Sequence, residues 1–138
     1  MQTLQQQRAK HALGKVKDLI LLNQGAKLKS RASELPFMIH ANGLGQAAAF
    51  FKSKGDKGQN TDTGKRSGDS DGDSRDKDGY GKIYLILQSW LTQPGRPFAG
   101  QTDLMLAITE ADLHTYRVAQ AEAMQYMDWV KKFATTYL

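Results

Sequence analysis

The stretch Glu34-Leu-Pro-Phe-Met-Ile-His-Ala-Asn-Gly-Leu-Gly-Gln-Ala-Ala-Ala-Phe-Phe-Lys-Ser-Lys54 holds the densest run of large apolar residues in the N-terminal half. Pro36 suits the first turn of a helix, where its missing N–H is no loss, so we expect a helix to begin there. The Asn42-Gly43 pair tolerates positive φ angles, which predicts a helix end and a change of direction. Apolar residues recur at helical spacing after this pair. The stretch therefore predicts two short helices that meet at a corner, with these large side chains packed inward: Phe37, Met38, Ile39, Leu44 and Phe51.

Helical periodicity continues on both sides of this corner. Residues 4–23 show one apolar stripe typical of an amphipathic helix, and residues 27–35 could form a short, basic helical turn. Residues 80–92 are ambiguous, because their β-branched and aromatic side chains also allow a strand. Their apolar residues make a good helical face, however, and no partner strand is visible elsewhere. We therefore interpret residues 80–92 as a helix.

The C-terminal third predicts two further helices. A short apolar helix over 104–108 follows Thr102 or Asp103 as its cap. The last and longest helix is predicted to open at Thr109, with acidic residues in its first turn, where the helix dipole favours them. Tyr116 and Trp129 lie on its apolar surface and are expected in the core. Together these segments predict an all-α fold, a compact bundle of roughly five to seven helices.

A long polar tract separates the two halves of the chain. Residues 55–78 contain no hydrophobic residue, so the tract cannot bury enough apolar surface to offset its ordering entropy. We expect a long, flexible, disordered loop over residues 55–79 within a single helical domain spanning 1–138. The acidic run from Asp69 invites comparison with a calcium-binding EF-hand loop. Ser74 stands where that loop needs glycine, and Tyr80 stands where it needs a bidentate glutamate, so we interpret the tract as a linker.

The motifs of catalysis and of cofactor binding are missing or incomplete. The sequence has no cysteine, and its histidines, His11, His40 and His114, are far apart without ligand partners at metal-binding spacing. The G-x-G-x-x-A pattern at Gly43 matches a dinucleotide fingerprint but lacks the βαβ setting that such a site needs. No G-x-S-x-G nucleophile elbow occurs. We predict a protein that is not an enzyme and that binds no cofactor or metal.

The chain also lacks the signature of a membrane or secreted protein. The longest aliphatic and aromatic run, Ile83–Leu87, is far too short to span a bilayer, and the N-terminus has no apolar signal core. We expect a soluble, cytoplasmic protein with no membrane partner.

Positive charge is concentrated in the N-terminal half. Residues 1–54 carry nine Lys and Arg residues against two acids, whereas residues 79–138 carry five of each. Such a local excess favours a polyanionic partner through phosphate contacts and counterion release. On the first helix, Arg8 and Lys15 fall on one flank of the apolar stripe, and Lys10 and Lys17 fall on the other. These bases either border a core helix or form a basic rim beside a groove, and the sequence leaves both possibilities open.

The stretch 34–54 quoted above also resembles a known family. Its residues follow the pattern L-P-x-x-I-x-x-N-G-L-x-x-x-x-A-F-x-x-S-K from Leu35 to Lys54. This pattern is the central signature of the small helical subunit of the type III-B CRISPR RNA-targeting (Cmr) effector complex. The resemblance covers nearly the whole chain except residues 55–78, where such proteins vary in length. Further matches are Arg8-Ala-Lys10-His-Ala12, Trp90-Leu91, Tyr116-Arg117, Glu122-Ala123 and Trp129-Val-Lys131-Lys132-Phe133-Ala134.

The resemblance implies a non-catalytic subunit of an antiviral ribonucleoprotein. Such subunits stack with copies of themselves as a minor filament beside the backbone subunits, and their basic face lines the channel where target RNA pairs with the CRISPR guide RNA. Contacts of this kind engage phosphates and ignore sequence. The competing interpretation is a helical protein–protein adaptor whose basic face binds an acidic protein without RNA contact. The candidate RNA-binding residues are Arg8, Lys10, Lys15, Lys17, Lys27, Lys29, Arg31, Lys52 and Lys54, followed by Arg117 and Lys132.

Overall fold

The computed structural model describes residues 1–22, 24–59 and 71–138. Within these ranges the chain forms six helices and no strand, which confirms the predicted all-α bundle. The helices are α1 (Leu4–Ile20), α2 (Gly25–Asn42), α3 (Leu44–Gln59), α4 (Asp71–Leu91), α5 (Leu104–Glu110) and α6 (Leu113–Tyr137).

The predicted corner at Gly43 is confirmed. Gly43 has a φ of 92°, a conformation that glycine adopts without a steric penalty, and its N–H donates to the carbonyl oxygen of Ile39 at 2.8 Å. Helix α2 ends directly before this residue and α3 begins directly after it. Ile39, Leu44 and Phe51 are fully buried, as predicted.

The expected helix start at Pro36 is wrong. Pro36 lies inside the continuous helix α2, and it is buried. A proline in a helix interior removes one backbone hydrogen bond and costs about 3 kcal/mol. An unbroken stripe of buried residues, which includes Leu28 and Leu35 before the proline and Ile39 after it, packs against the bundle and offsets this cost. Phe37 points away from that stripe and is 71% exposed, so its predicted inward packing is also wrong, whereas Met38 is partly buried.

The helical interpretation of residues 80–92 is confirmed, because residues 80–91 form the second half of α4 and Thr92 follows directly after it. Helix α3 continues to Gln59 and α4 already begins at Asp71, so both helices extend further into the polar tract than the hydrophobic pattern predicts. The remainder of the expected 55–79 loop, residues 60–70, lies outside the described residues, as does Asp69 of the calcium-like run.

The sequence predicted the cap of α5 but not the cap of α6. Asp103, one of the two expected caps, is the cap of α5, and its carboxylate accepts the N–H of Met105 at 3.0 Å. Asp112, and not Thr109, caps α6 by accepting the N–H of Thr115 at 2.8 Å. Thr109 instead lies in the last turn of α5, which continues to Glu110 because its buried face packs into the core. The predicted first turn of α6 is therefore wrong, and the helix begins about one turn later.

Helix α6 is the longest element and forms the centre of the bundle. It packs mainly against α1 and α2 and also contacts α4. Arg8 of α1 meets Glu122, and Lys17 of the same helix meets Tyr137, so α1 and α6 run in the same direction. Trp129 and Tyr116 are partly buried and pack against the core, as predicted.

Helix α6 also supplies the cap of α3. The N–H of Leu44 donates to the side-chain oxygen of Gln120 at 2.8 Å, and the N–H of Gly45 donates to the Tyr116 hydroxyl at 2.8 Å. Backbone N–H groups in the first turn of a helix have no partner within the helix. Two side chains from a distant part of the sequence therefore satisfy them and hold the corner against α6.

Candidate nucleic-acid interface

The predicted RNA-binding residue Arg8 lies in an internal ion pair. Its Nε donates to Glu122 at 2.6 Å and its Nη2 donates to the other carboxylate oxygen at 2.8 Å. The two side chains are 12% and 9% exposed. Trp90 donates its indole N–H to the same carboxylate at 2.8 Å. Arg8 thus joins α1 to α4 and α6, and its guanidinium is already matched by a carboxylate.

The protonation states of this pair are fixed by their mutual contact. Burial by itself raises the pKa of Glu122, but hydrogen bonds from Arg8 and Trp90, aided by the charges of Arg8 and Arg96, leave that pKa below its ordinary value. The hydrogen bond to Glu122 in turn raises the pKa of Arg8, although burial opposes it. Both side chains therefore stay charged at neutral pH and stabilise each other.

His11 and Tyr126 extend the same interior cluster. His11 Nδ1 lies 2.7 Å from the Tyr126 hydroxyl, and the rings of Tyr126 and Trp90 stack with centroids 5.1 Å apart. Burial lowers the pKa of His11, with a smaller contribution from the charge of Lys15, and burial raises the pKa of Tyr126. We call these five residues the buried polar cluster: Arg8, His11, Trp90, Glu122 and Tyr126.

A second group of basic residues lies where α2, α3 and α4 meet. Arg31 of α2 places its guanidinium carbon 4.4 Å from the centre of the Tyr80 ring and donates to the Tyr80 hydroxyl at 2.7 Å. It also pairs with Glu34 on its own helix. Lys52 of α3 lies 5.5 Å from the centre of the Tyr84 ring. Two predicted bases are thereby held over aromatic faces of α4.

Phe50 and Lys54 complete this group. Phe50 is 37% exposed, and its ring meets that of Tyr80 edge-on with centroids 5.8 Å apart. Lys54 Nζ lies 5.5 Å from the centre of the Phe50 ring. Cations are attracted to the faces of aromatic rings. Tyr80 and Tyr84 are buried, so Phe50 is the ring of this group that is exposed enough to stack on a nucleic-acid base. We call this group the cation–aromatic cluster: Arg31, Phe50, Lys52, Lys54, Tyr80 and Tyr84.

The other predicted bases lie outside this cluster. Lys15 and Lys29 are partly exposed, and Lys17 extends over the ring of Tyr137 at 5.9 Å. Lys132 pairs with Asp128 at 2.7 Å on the surface of α6. The structure thus brings Arg31, Lys52 and Lys54 together and spreads the remaining bases over α1, the start of α2 and α6. The remaining predicted bases are exposed: Lys10, Lys27 and Arg117.

Three side chains that make these cation–aromatic contacts were not predicted from the sequence: Tyr80, Tyr84 and Arg96. Tyr80 and Tyr84 are one turn apart on α4, and that spacing was a usable signal that both rings lie on one face of the helix. Arg96 lies in the turn after α4, with its guanidinium carbon 5.1 Å from the centre of the Trp90 ring. Nothing in the local sequence indicates that contact, because it depends on how the turn folds back over α4.

The described residues were also searched for metal-binding groups and for membrane-spanning helices. No group of three His, Asp or Glu side chains in the described ranges is arranged to hold a metal ion. None of the helices described here has the length and apolar character needed to cross a membrane.

Comparison with known protein families gives a match over almost the full length of the chain. A family model described as CRISPR-associated protein (Cas_Cmr5) matches residues 4–137. The matched range includes residues 34–54, the buried polar cluster and the cation–aromatic cluster.

Proposed function

The chain belongs to the Cas_Cmr5 family of CRISPR-associated proteins, and from this premise we propose that it contacts RNA phosphates as a non-catalytic subunit of a Cmr complex. The family is the small-subunit family of type III-B CRISPR complexes, so the chain takes part in CRISPR defence together with other Cmr subunits. In our proposal it stacks with copies of itself beside the backbone filament, and its basic face follows the guide and target RNA.

The observation that carries this proposal is the cation–aromatic cluster. Lys52 and Lys54 are partly exposed and extend from α3 over aromatic rings. Ring faces attract ammonium groups and hold them in place. Because both lysines are partly exposed, a phosphate can reach them from solvent in this proposal. Arg31 holds the Tyr80 ring in place by donating to its hydroxyl, and it pairs with Glu34 on its own helix.

In this proposal the predicted bases have different roles. Arg8 is assigned to the fold, because Glu122 already neutralises it in a nearly buried site. The proposed phosphate contacts start with Lys52 and Lys54 and continue along the exposed bases of α1 and α2. Arg117 and Lys132 are peripheral contacts, since Lys132 already pairs with Asp128. The proposed set is Lys10, Lys15, Lys17, Lys27, Lys29, Lys52 and Lys54, with Arg31 as support.

The test is the salt dependence of RNA binding by the assembled complex. In the variant Lys17→Gln, Lys52→Gln, Lys54→Gln, the affinity for target RNA should fall, and the slope of log affinity against log salt should decrease by about 2, since each lost phosphate contact accounts for about 0.7. Lys131→Gln is the matched control, because Lys131 is an exposed lysine outside the proposed set.

An unchanged slope in the triple variant, with the complex intact, would reject the proposed RNA contact. A triple variant that fails to join the complex while RNA binding by the remaining subunits is normal would favour the adaptor function, in which the basic face binds an acidic protein. Helicity measured by circular dichroism should be equal in all variants, because none of the three lysines is buried.

A further inference from the structure

Helix α3 has one narrow face that is open to solvent. Between residues 44 and 54, the exposed positions are 46, 49, 50 and 53. At about 100° of rotation per residue, these four positions fall within less than a third of a turn. Lys54, which is partly exposed, lies at the edge of this arc beside Phe50. We call this surface the α3 face: Gln46, Ala49, Phe50, Ser53 and Lys54.

The ring of Phe50 is supported by two other rings and still reaches solvent. It makes an edge-to-face contact with Phe51 at a centroid distance of 6.2 Å, and another with Tyr80 at 5.8 Å. Phe51 is fully buried and Tyr80 is 8% exposed, whereas Phe50 is 37% exposed. The buried rings fix the position of Phe50, and part of its ring surface remains available to a ligand.

The surroundings of this ring are basic on one side and small on the other. Lys54 follows Phe50 by one turn, and its Nζ lies 5.5 Å from the centre of the ring. Ala49 and Ser53 lie on the opposite side of Phe50, and their short side chains leave room beside the ring. Residues 35–55 contain no aspartate or glutamate, so this segment itself places no carboxylate against an approaching anion.

A ligand that matches the α3 face carries a flat apolar group and a negative charge close together. A nucleotide has both, because its base stacks on aromatic rings and its phosphate is attracted to lysine. Stacking of this kind tolerates any base, since every base has a π-face. An acidic peptide matches the charge of Lys54, but its carboxylate side chains supply no flat group for the ring of Phe50.

We propose that Phe50 stacks on the base of one unpaired RNA nucleotide while Lys54 binds a phosphate beside it. This inference rests on the proposed function and adds a preference for single-stranded RNA. In a duplex both faces of a base are covered by its neighbours, so only an unpaired base can lie on Phe50. Lys54 has a flexible four-carbon stem, which lets its ammonium group move from the ring to the phosphate when the base arrives.

The test compares three RNA probes of equal length, bound to the full chain at low salt and measured by fluorescence anisotropy. The probes are a short oligouridylate, an abasic ribose-phosphate strand and a fully paired duplex. Phe50→Leu should lower the affinity for oligouridylate by roughly 5- to 150-fold, the effect of losing one base–aromatic stack, and should leave the other two affinities unchanged. Phe50→Tyr keeps the ring and should restore binding. A 2-aminopurine placed in the oligouridylate should be quenched by the wild type but not by Phe50→Leu.

The matched control is Phe37→Leu, since Phe37 is 71% exposed but lies on α2 and should not affect RNA binding. Phe50→Leu should also keep the salt slope of the wild type, because it removes no charge. The stacking contact is overturned if the wild type does not bind oligouridylate, binds the abasic strand equally well, or binds as tightly after Phe50→Leu. Each of these results leaves the proposed function standing, because the salt slope of the triple lysine variant in the assembled complex tests that function separately.

Discussion

The buried polar cluster and the cation–aromatic cluster both combine basic side chains with aromatic rings, yet they differ in how the positive charge is matched. In the first, a carboxylate from α6 neutralises Arg8, and the two side chains are largely shielded from solvent. In the second, the two lysines meet ring faces and stay partly exposed. Equal formal charge therefore does not mean equal surroundings. Arg8 and Lys54 count equally in the net charge, but Arg8 donates to both carboxylate oxygens of Glu122, whereas Lys54 lies over the ring of Phe50.

The largest effect is expected from breaking the ion pair of the buried polar cluster. Glu122→Gln removes the only carboxylate that contacts Arg8 in the described structure and leaves that guanidinium uncompensated. Removal of one partner from a buried pair is strongly destabilising, so we expect a loss of about 3 kcal/mol in the free energy of unfolding. Chemical denaturation of the wild type and the variant measures this loss.

The control for this prediction is an exposed pair. Asp128→Asn breaks the contact with Lys132, whose side chains are 64% and 62% exposed, and should cost well below about 1 kcal/mol. The double variant Arg8→Met, Glu122→Gln should be more stable than Glu122→Gln alone, because it no longer buries an unpaired charge. Equal costs for Glu122→Gln and Asp128→Asn would show that the Arg8 pair behaves as a surface pair and would remove the contrast between the two clusters.

A smaller effect is expected from the histidine of the same cluster. The pKa of His11 in the folded protein is below its ordinary value of 6.5, mainly because of burial. The unfolded chain therefore takes up this proton at a higher pH than the folded chain does. Stability should fall as the pH drops below about 6.5, with a slope of at most about 1.4 kcal/mol per pH unit for one proton.

The measurement is thermal unfolding over a pH series down to the range in which the carboxylates begin to titrate. The slope assigned to His11 should disappear in His11→Gln and should persist in His114→Gln, because His114 is exposed. A slope that is the same in both variants would assign the pH dependence to other groups and would leave His11 without an energetic role in the cluster.

The smallest effect on stability is expected in the cation–aromatic cluster. Exposed cation–π contacts contribute roughly 0.5–1 kcal/mol each, so Lys52→Gln with Lys54→Gln should cost about 1–2 kcal/mol in the free energy of unfolding. The same double variant should lose RNA affinity in the assembled complex. Glu122→Gln should show the reverse, with a large loss of stability and normal RNA binding at temperatures where it is folded. A double lysine variant as unstable as Glu122→Gln would show that both clusters serve the fold.

Much of the helical architecture was predictable because its signals are local. The apolar stripe of α1 and the Asp103 cap depend on residues within one or two turns of each other. Gly43 was predictable as a corner because glycine adopts positive φ without a side-chain clash. The errors arose where packing overrode a local preference. Pro36 continues a helix because its neighbours are buried, and α5 runs past Thr109 because its own face packs into the core.

The sequence by itself determined the helical class, the corner at Gly43, the family pattern from Leu35 to Lys54 and the basic excess of the N-terminal half. Only the tertiary structure decided which bases are neutralised and which helix ends are capped from a distance. Glu122 lies 114 residues after Arg8, and Gln120 lies 76 residues after Leu44. Such contacts produce no periodic pattern in the sequence, because they depend on how whole helices pack and not on the spacing of neighbouring residues.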